Sequence, residues 1–403
     1  MIAAHPFGRV DLERCPFMPT YGPPAVMFER GVGTEVWDVE GKRYLDFLGG
    51  IAVLSLGHSH PAVAEAVAAQ AHTLQQVSNY FTNPVTPQVA LTLDRLLGGG
   101  GQVFFTNSGA EANECAIKLA RRWGGGAHGR WQVVSAYGSF HGRTLATLHA
   151  TGQPSKHEPF QPLPPGFRHV AWADLQALES AVDDTVAAVL LETVQGEGGV
   201  NPMPSGYLSA VRELCDERGC LLIVDEVQTG LARTGEWFGF QHDLDDCVQP
   251  DIVTMAKALG NGVPIGACWA KAGVADAFVA GDHGTTQGGN PLSASAALAT
   301  LGAMEGMDAP GQAAKAGAAL TVRLEALSQV SSVRGRGLLL AAELIAGFDA
   351  KSVYLACLDA GLIVNPITPT AIRLTPPLNV SEGHIDEAVG ILAAVLEGVG
   401  GPR

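Results

Sequence analysis

Three segments of this 403-residue chain end an apolar run on groups able to do chemistry. Val103-Phe104-Phe105-Thr106 runs into Asn107-Ser108-Gly109-Ala110-Glu111, where a turn opens a helix. Backbone N–H groups and the helix dipole at such a start suit a phosphate. Ser108 adds a hydroxyl and Gly109 lets the backbone approach closely. Taken alone, the segment reads better as an ordinary strand-to-helix turn capped by Ser or Asn, since such turns are common. Cys220-Leu221-Leu222-Ile223-Val224 ends on Asp225 and Glu226, at the edge where open α/β sheets bind ligands. A carboxylate there pairs with a cationic ring nitrogen or a metal, and a solvated strand end explains it as well. Asp251-Ile252-Val253-Thr254-Met255-Ala256 leads to Lys257 before a Gly-rich turn. A lysine closing a buried strand is costly unless used or paired. Burial or a cationic neighbour makes its amine nucleophilic; the alternative is a lysine that snorkels to water. The chain has seven lysines, and most of the others stand in contexts that read as solvated.

Together the three supply a phosphate anchor, a carboxylate and an amine. That is the set required by pyridoxal phosphate, with Lys257 as the Schiff-base amine and Asp225 as the ring-nitrogen partner. Asp225 would keep the ring protonated, so that it absorbs electrons from the substrate. Lys257, once displaced, would move a proton between the substrate carbon and the cofactor carbon.

The elements that must position these groups alternate. Apolar runs occur at 102–105, 131–136, 186–191, 220–225, 251–256 and 265–270, with helical stretches such as 111–122 and 205–218 between several of them. This predicts an α/β fold with a mainly parallel sheet covered on both faces. Upstream, Thr34–Val39 and Arg43–Phe47 flank a turn, and a helix runs from Pro61 to about Gln75. After Pro291 come two helical patterns, strand-like pieces at 337–344, 362–365 and 371–374, and a final helix capped by Ser381. We expect residues 1–60 and 301–403 to build a smaller α/β domain and 61–300 the large one.

Composition removes other classes. A net charge of −15 argues against nucleic acid or an anionic membrane as partner. Seven cysteines form no C-x-x-C pair, and Cys215 and Cys220 have no histidine pair beside them. They read as reduced thiols of a cytoplasmic protein. Met1–Thr20 has no signal-peptide core, and no long apolar run resembles a membrane span. His58 and His60 lack a third ligand, so no metal is expected. Gly31-Val32-Gly33 does not open a helix after a strand, which argues against a nicotinamide-binding oxidoreductase.

Further blocks make the pattern specific. They are Asn107 to Glu114, Ser139-Phe140-His141-Gly142-Arg143-Thr144, Gln195-Gly196-Glu197-Gly198-Gly199, and Asp225 to Gly230 with Arg233-Thr234-Gly235. Ala256 to Gly260, His283 to Thr286, Gly288 to Pro291 and Arg373 to Leu378 follow in order. In these the chain resembles the class III (ornithine/acetylornithine-type) aminotransferases over nearly its whole length. The resemblance implies fold type I of the pyridoxal-phosphate-dependent transferases, with a mainly parallel seven-stranded sheet in the large domain. It implies that Ser108, Gly109 and Ala110 hold the phosphate and Phe140 stacks on the ring. Asp225 would pair with the ring nitrogen and Gln228 with the ring hydroxyl. Thr286 would reach the phosphate of the other subunit of a homodimer that shares its active sites. Arg143 and Thr285 would bind substrate, Arg143 through the α-carboxylate. Arg373 would take the second carboxylate of glutamate or 2-oxoglutarate, and Glu197 would pair with Arg373 when a diamino substrate is bound.

Tyr44 to Val53, Gly57 to Pro61, Val77-Ser78-Asn79 and Gly361 to Asn365 are most similar to the N-acetylornithine branch. The implied reaction gives the δ-amino group of N-acetylornithine to 2-oxoglutarate, in arginine biosynthesis. Gln287 and Thr193 stand where the family usually has an aromatic residue and a proline, and Tyr80-Phe81 alters the loop after Asn79. Rival readings keep the cofactor but use succinylornithine, ornithine, 4-aminobutyrate, succinyl-diaminopimelate or a carrier-bound lysine. Others change the reaction to decarboxylation or an aminomutase shift, or make the chain a binding protein without catalysis.

Overall fold

The structure is a computed structural model and describes residues 16–22, 24–246 and 248–399. Most of the stretch read as lacking a signal peptide, together with Cys15 and Cys247, lies outside these residues.

Seven strands form the central sheet: β1 (Gly101–Thr106), β2 (Gln132–Ala136), β3 (Phe167–Val170), β4 (Val186–Glu192), β5 (Leu221–Asp225), β6 (Ile252–Met255) and β7 (Gly266–Lys271). Six follow the apolar runs of the sequence. The seventh, β3, lies at the sheet edge beside β2 and is only half buried. Arg168 and His169 interrupt its apolar character. The strand order is β1-β7-β6-β5-β4-β2-β3. The pairs β6·β5, β5·β4, β4·β2 and β2·β3 are parallel, whereas β7 runs antiparallel to both β6 and β1. Six strands therefore present their carboxyl ends at one edge, and β7 brings its first residue, Gly266, to that edge opposite Thr106.

The sheet stays in place because both faces are apolar. Every residue of β4 and β5 is buried. Along β5, Leu221 and Ile223 enter one core and Leu222 and Val224 the other, the two-residue period of a strand. Helix α1 (Gly109–Trp123) follows β1 and packs on β6 and β7, so its N-terminus points into the carboxyl edge.

The C-terminal strands Val330–Arg336, Leu339–Leu344, Ala371–Leu374 and Asn365–Thr368 make an antiparallel sheet. A second sheet joins Phe28–Val32, Glu35–Asp38 and Arg43–Asp46 to Leu362–Ile363, which pairs parallel with Arg43–Asp46. The two ends of the chain thus share a sheet. Ser381 caps the last helix, Glu382–Gly398, accepting from the His384 N–H at 3.1 Å. Arg233 is a further tie. Its buried guanidinium donates to the carbonyls of Leu338 and Pro376 at 3.1 and 2.6 Å and to Ser55 Oγ at 3.2 Å. Burial pulls it down to about 9. Among the described residues, no helix is long and apolar enough to cross a membrane, and no cluster of three or more His, Cys, Asp or Glu side chains could hold a metal.

Candidate active site

The carboxyl edge of the sheet opens into a cavity of about 370 Å³. Ser108, Gly109, Ala110, Phe140, Arg143, Glu197, Asp225, Gln228 and Lys257 line it together. Nine of the residues singled out from sequence therefore meet in one cleft.

The helix start is built as an anion cradle. Ser108 is the N-cap of α1, and its Oγ accepts from the Glu111 N–H at 3.2 Å. Glu111 reaches back to the Asn107 N–H at 2.9 Å, which fixes the turn. The first N–H groups of a helix have no intrahelical acceptor, so those of Gly109 and Ala110 are offered to the cleft. Residue 109 must be glycine, because a Cβ there would stand 2.6 Å from Val227 Cγ1.

Asp225 ends β5 and is buried. One of its oxygens accepts from Asn113 Nδ2 at 2.7 Å and meets His141 Nδ1 at 2.8 Å. A carboxylate only accepts, so Nδ1 carries the hydrogen. The other oxygen takes the Val227 N–H at 3.0 Å. Asn113 is itself fixed, accepting from Thr254 Oγ1 at 2.7 Å and donating to the His141 carbonyl at 2.8 Å. The quoted sequence blocks contained Asn113 and His141, but nothing in the sequence assigned them to Asp225.

Lys257 starts the turn after β6 with φ +31°, a conformation uncommon for a side-chain-bearing residue. Burial pulls its ammonium down to about 8; Arg373 adds to this, while Glu197, Asp225 and Glu192 oppose it. Glu192 was missed at the sequence level. It ends β4 opposite Asp225, and its Oε2 accepts the Phe140 N–H at 3.1 Å. Burial, then Asp225, push this carboxyl well above the usual range. The signal was available, since an apolar run ends on Glu192 as another ends on Asp225.

Arg373 lies outside the cavity wall but is joined to it. Its Nη1 donates to Glu197 Oε1 at 2.5 Å, to the Gly196 carbonyl at 3.1 Å and to Gln228 Oε1 at 3.3 Å. Burial would raise the Glu197 carboxyl, but Arg373 and then Lys257 overcome it and hold it below its ordinary value. Thr285 and Thr286 are not brought to this cleft. They line a second cavity with Ser78, Asn79, Tyr80 and Phe104. Asn79 Nδ2 donates to the Thr285 carbonyl at 2.9 Å.

Comparison with known proteins gives a consistent picture. The family profile described as aminotransferase class-III matches residues 17–396. The acetylornithine aminotransferase of Mycolicibacterium smegmatis is 47% identical over 382 residues, 94% of this chain and 96% of that protein. That of Methanocaldococcus jannaschii is 45% identical, covering 96% and 97%. Among solved structures, the ornithine aminotransferase of Toxoplasma gondii superposes with a TM-score of 0.89 at 34% identity, covering 95% of this chain and 92% of that one. A structure of that enzyme crystallised with oxidised glutathione, with the same scores, has partial occupancy of pyridoxal phosphate at its active site. The acetylornithine aminotransferase of Elizabethkingia anophelis superposes with a TM-score of 0.83 at 34% identity, covering 94% and 96%.

Proposed function

Since this chain belongs to the class-III aminotransferase family, we propose that it moves the δ-amino group of N2-acetyl-L-ornithine to 2-oxoglutarate, giving N-acetyl-L-glutamate 5-semialdehyde and L-glutamate. Its fold is fold type I of the pyridoxal-phosphate-dependent transferases, and its cofactor is pyridoxal phosphate. The observation that carries the reading is the Lys257 amine sharing one cleft with the Asp225 carboxylate and the helix-start N–H groups. These residues fit the cofactor: the start of the helix capped by Ser108 lines the cleft, its first N–H groups free for a phosphate, and a buried carboxylate is held in place by Asn113 and His141.

Pyridoxal phosphate, when bound, supplies an aldehyde that takes up an amino group and a ring that draws electrons from the neighbouring carbon. The chain supplies the rest. Gly109 and Ala110 hold the phosphate through their N–H groups. Phe140, whose backbone is fixed by Glu192, presents its ring to the flat cofactor. Asp225 holds a hydrogen at the ring nitrogen. Lys257 would take the proton from the donor carbon that bears the amino group and pass it to the cofactor carbon two atoms along, beyond the nitrogen. Gln228 is poised for the ring hydroxyl, and Arg143 binds the donor's α-carboxylate by its two-pronged guanidinium.

One cleft must accept both an acylated diamino acid and a dicarboxylate. With the amine donor bound, Glu197 neutralises Arg373, as it does here. With 2-oxoglutarate bound, Arg373 takes the second carboxylate and Glu197 moves aside. The curated relatives at 45–47% identity carry the acetylornithine name, which favours that donor over free ornithine or 4-aminobutyrate. Purified protein given pyridoxal phosphate, N2-acetylornithine and 2-oxoglutarate is expected to release glutamate faster than with succinylornithine, ornithine or 4-aminobutyrate. No glutamate from N2-acetylornithine would refute the assignment.

We also propose a homodimer in which Thr285 and Thr286 serve the partner's cleft. That both line a cavity other than the one holding Lys257 supports this, as does the 93% exposure of Tyr80 in that cavity's wall, followed in the chain by Phe81 at 73%. Sedimentation equilibrium is expected to give about twice the chain mass of 41.9 kDa. A fully active monomer would contradict it.

A further inference from the structure

A second cation stands beside Phe140. Lys156 is half buried, with Nζ 5.4 Å from the centre of the Phe140 ring. The exposed Arg143 guanidinium lies 5.3 Å from the same ring centre. Among the described residues, no ion pair joins either of them to a carboxylate. Lys156 donates instead to the neutral Gln153 side chain, and Gln153 Nε2 donates to the Ser139 carbonyl at 2.9 Å. The lysine is thereby tied to the segment that carries Phe140 and Arg143. Burial and then Arg143 hold its ammonium below the ordinary lysine range, while Glu197 acts the other way. Two like charges held at one ring repel each other, and an incoming ligand must answer both.

We propose that Lys156 is a specificity-determining residue that favours donors whose α-amino group is acylated over donors in which it is free. The inference rests on the reaction assigned above, in which Arg143 takes the donor's α-carboxylate. The substituent on the same α-carbon would then lie beside Arg143, and Lys156, although outside the cleft wall, stands at the same Phe140 ring. A free α-amino group is protonated near neutral pH and would meet a like charge on Lys156. An acyl amide carries no charge, and its carbonyl accepts a hydrogen bond from Lys156. The same side chain both repels one donor and attracts the other, which is how selectivity is built most economically.

The test compares kcat/KM for N2-acetylornithine and for ornithine, with 2-oxoglutarate saturating, in the wild-type holoenzyme, K156M and K156R. The preference for the acetylated donor is expected to fall about tenfold or more in K156M, the size of one lost charged hydrogen bond plus one lost repulsion. K156R is expected to keep most of it. An unchanged ratio in K156M, whether both rates fall together or neither does, would overturn the proposal. So would an equal loss on 5-aminopentanoate, which has the carboxylate but no α-substituent, because Lys156 would then be only a carboxylate contact. A wild-type enzyme that ignores N2-acetylornithine yet turns over another donor would overturn the reaction assignment first, and this inference with it.

Discussion

Lys257→Ala is expected to lower turnover of N2-acetylornithine with 2-oxoglutarate by about ten-thousandfold or more, since both a nucleophile and a proton carrier are lost. The argument begins with the environment. Burial brings the amine to about 8, so near neutral pH a useful fraction is unprotonated. An exposed lysine would have almost none. The backbone of residue 257 is turned by its positive φ and the following short helix, which aims the side chain into the cleft. Steady-state kcat is the measurement. Borohydride treatment gives a second one: it is expected to link pyridoxal phosphate covalently to the wild type and not to the variant. A variant that keeps a tenth of the wild-type rate would end the case for this residue.

Asp225→Asn should cost roughly a thousandfold in the half-reaction with N2-acetylornithine, the size seen when one well-aimed electrostatic group is removed from an enclosed site. The substitution keeps the volume and can keep an oxygen toward Asn113 and His141, so the cleft should persist. What it removes is the charge that holds a hydrogen on the ring nitrogen. A cofactor analogue methylated at that nitrogen carries the positive charge permanently and is expected to restore part of the rate. Full activity of the variant with the ordinary cofactor, or no rescue with intact binding, would count against the role given to Asp225.

What was legible beforehand follows a physical rule. An ionisable residue at the end of an apolar run is conspicuous, because burial makes it expensive, and Asp225 and Lys257 stood out for that reason. Glu192 obeyed the same rule and was passed over, because its run was read as a sheet element alone. Strand β3 was missed for the opposite cause: an edge strand needs only one covered face, and Arg168 and His169 hide its pattern. Phe28–Val32, another edge strand, is mostly exposed and carries Glu29 and Arg30. The support around Asp225 was beyond sequence reading. Asn113 lies on α1, His141 after β2 and Thr254 on β6, and only the folded sheet brings them together. The position of Lys156 was hidden likewise, since its half-buried place at Phe140 depends on the tether through Gln153.

The strand pairing between Leu362–Ile363 and Arg43–Asp46 bears on how the polypeptide is made. During synthesis the first hairpin leaves the ribosome long before the strand that completes its sheet has been translated. Until then the hairpin lacks the parallel strand that completes its sheet. A message cut short near its end would therefore damage the beginning of the product as well, and nascent chains of this enzyme should need shielding at their oldest segment.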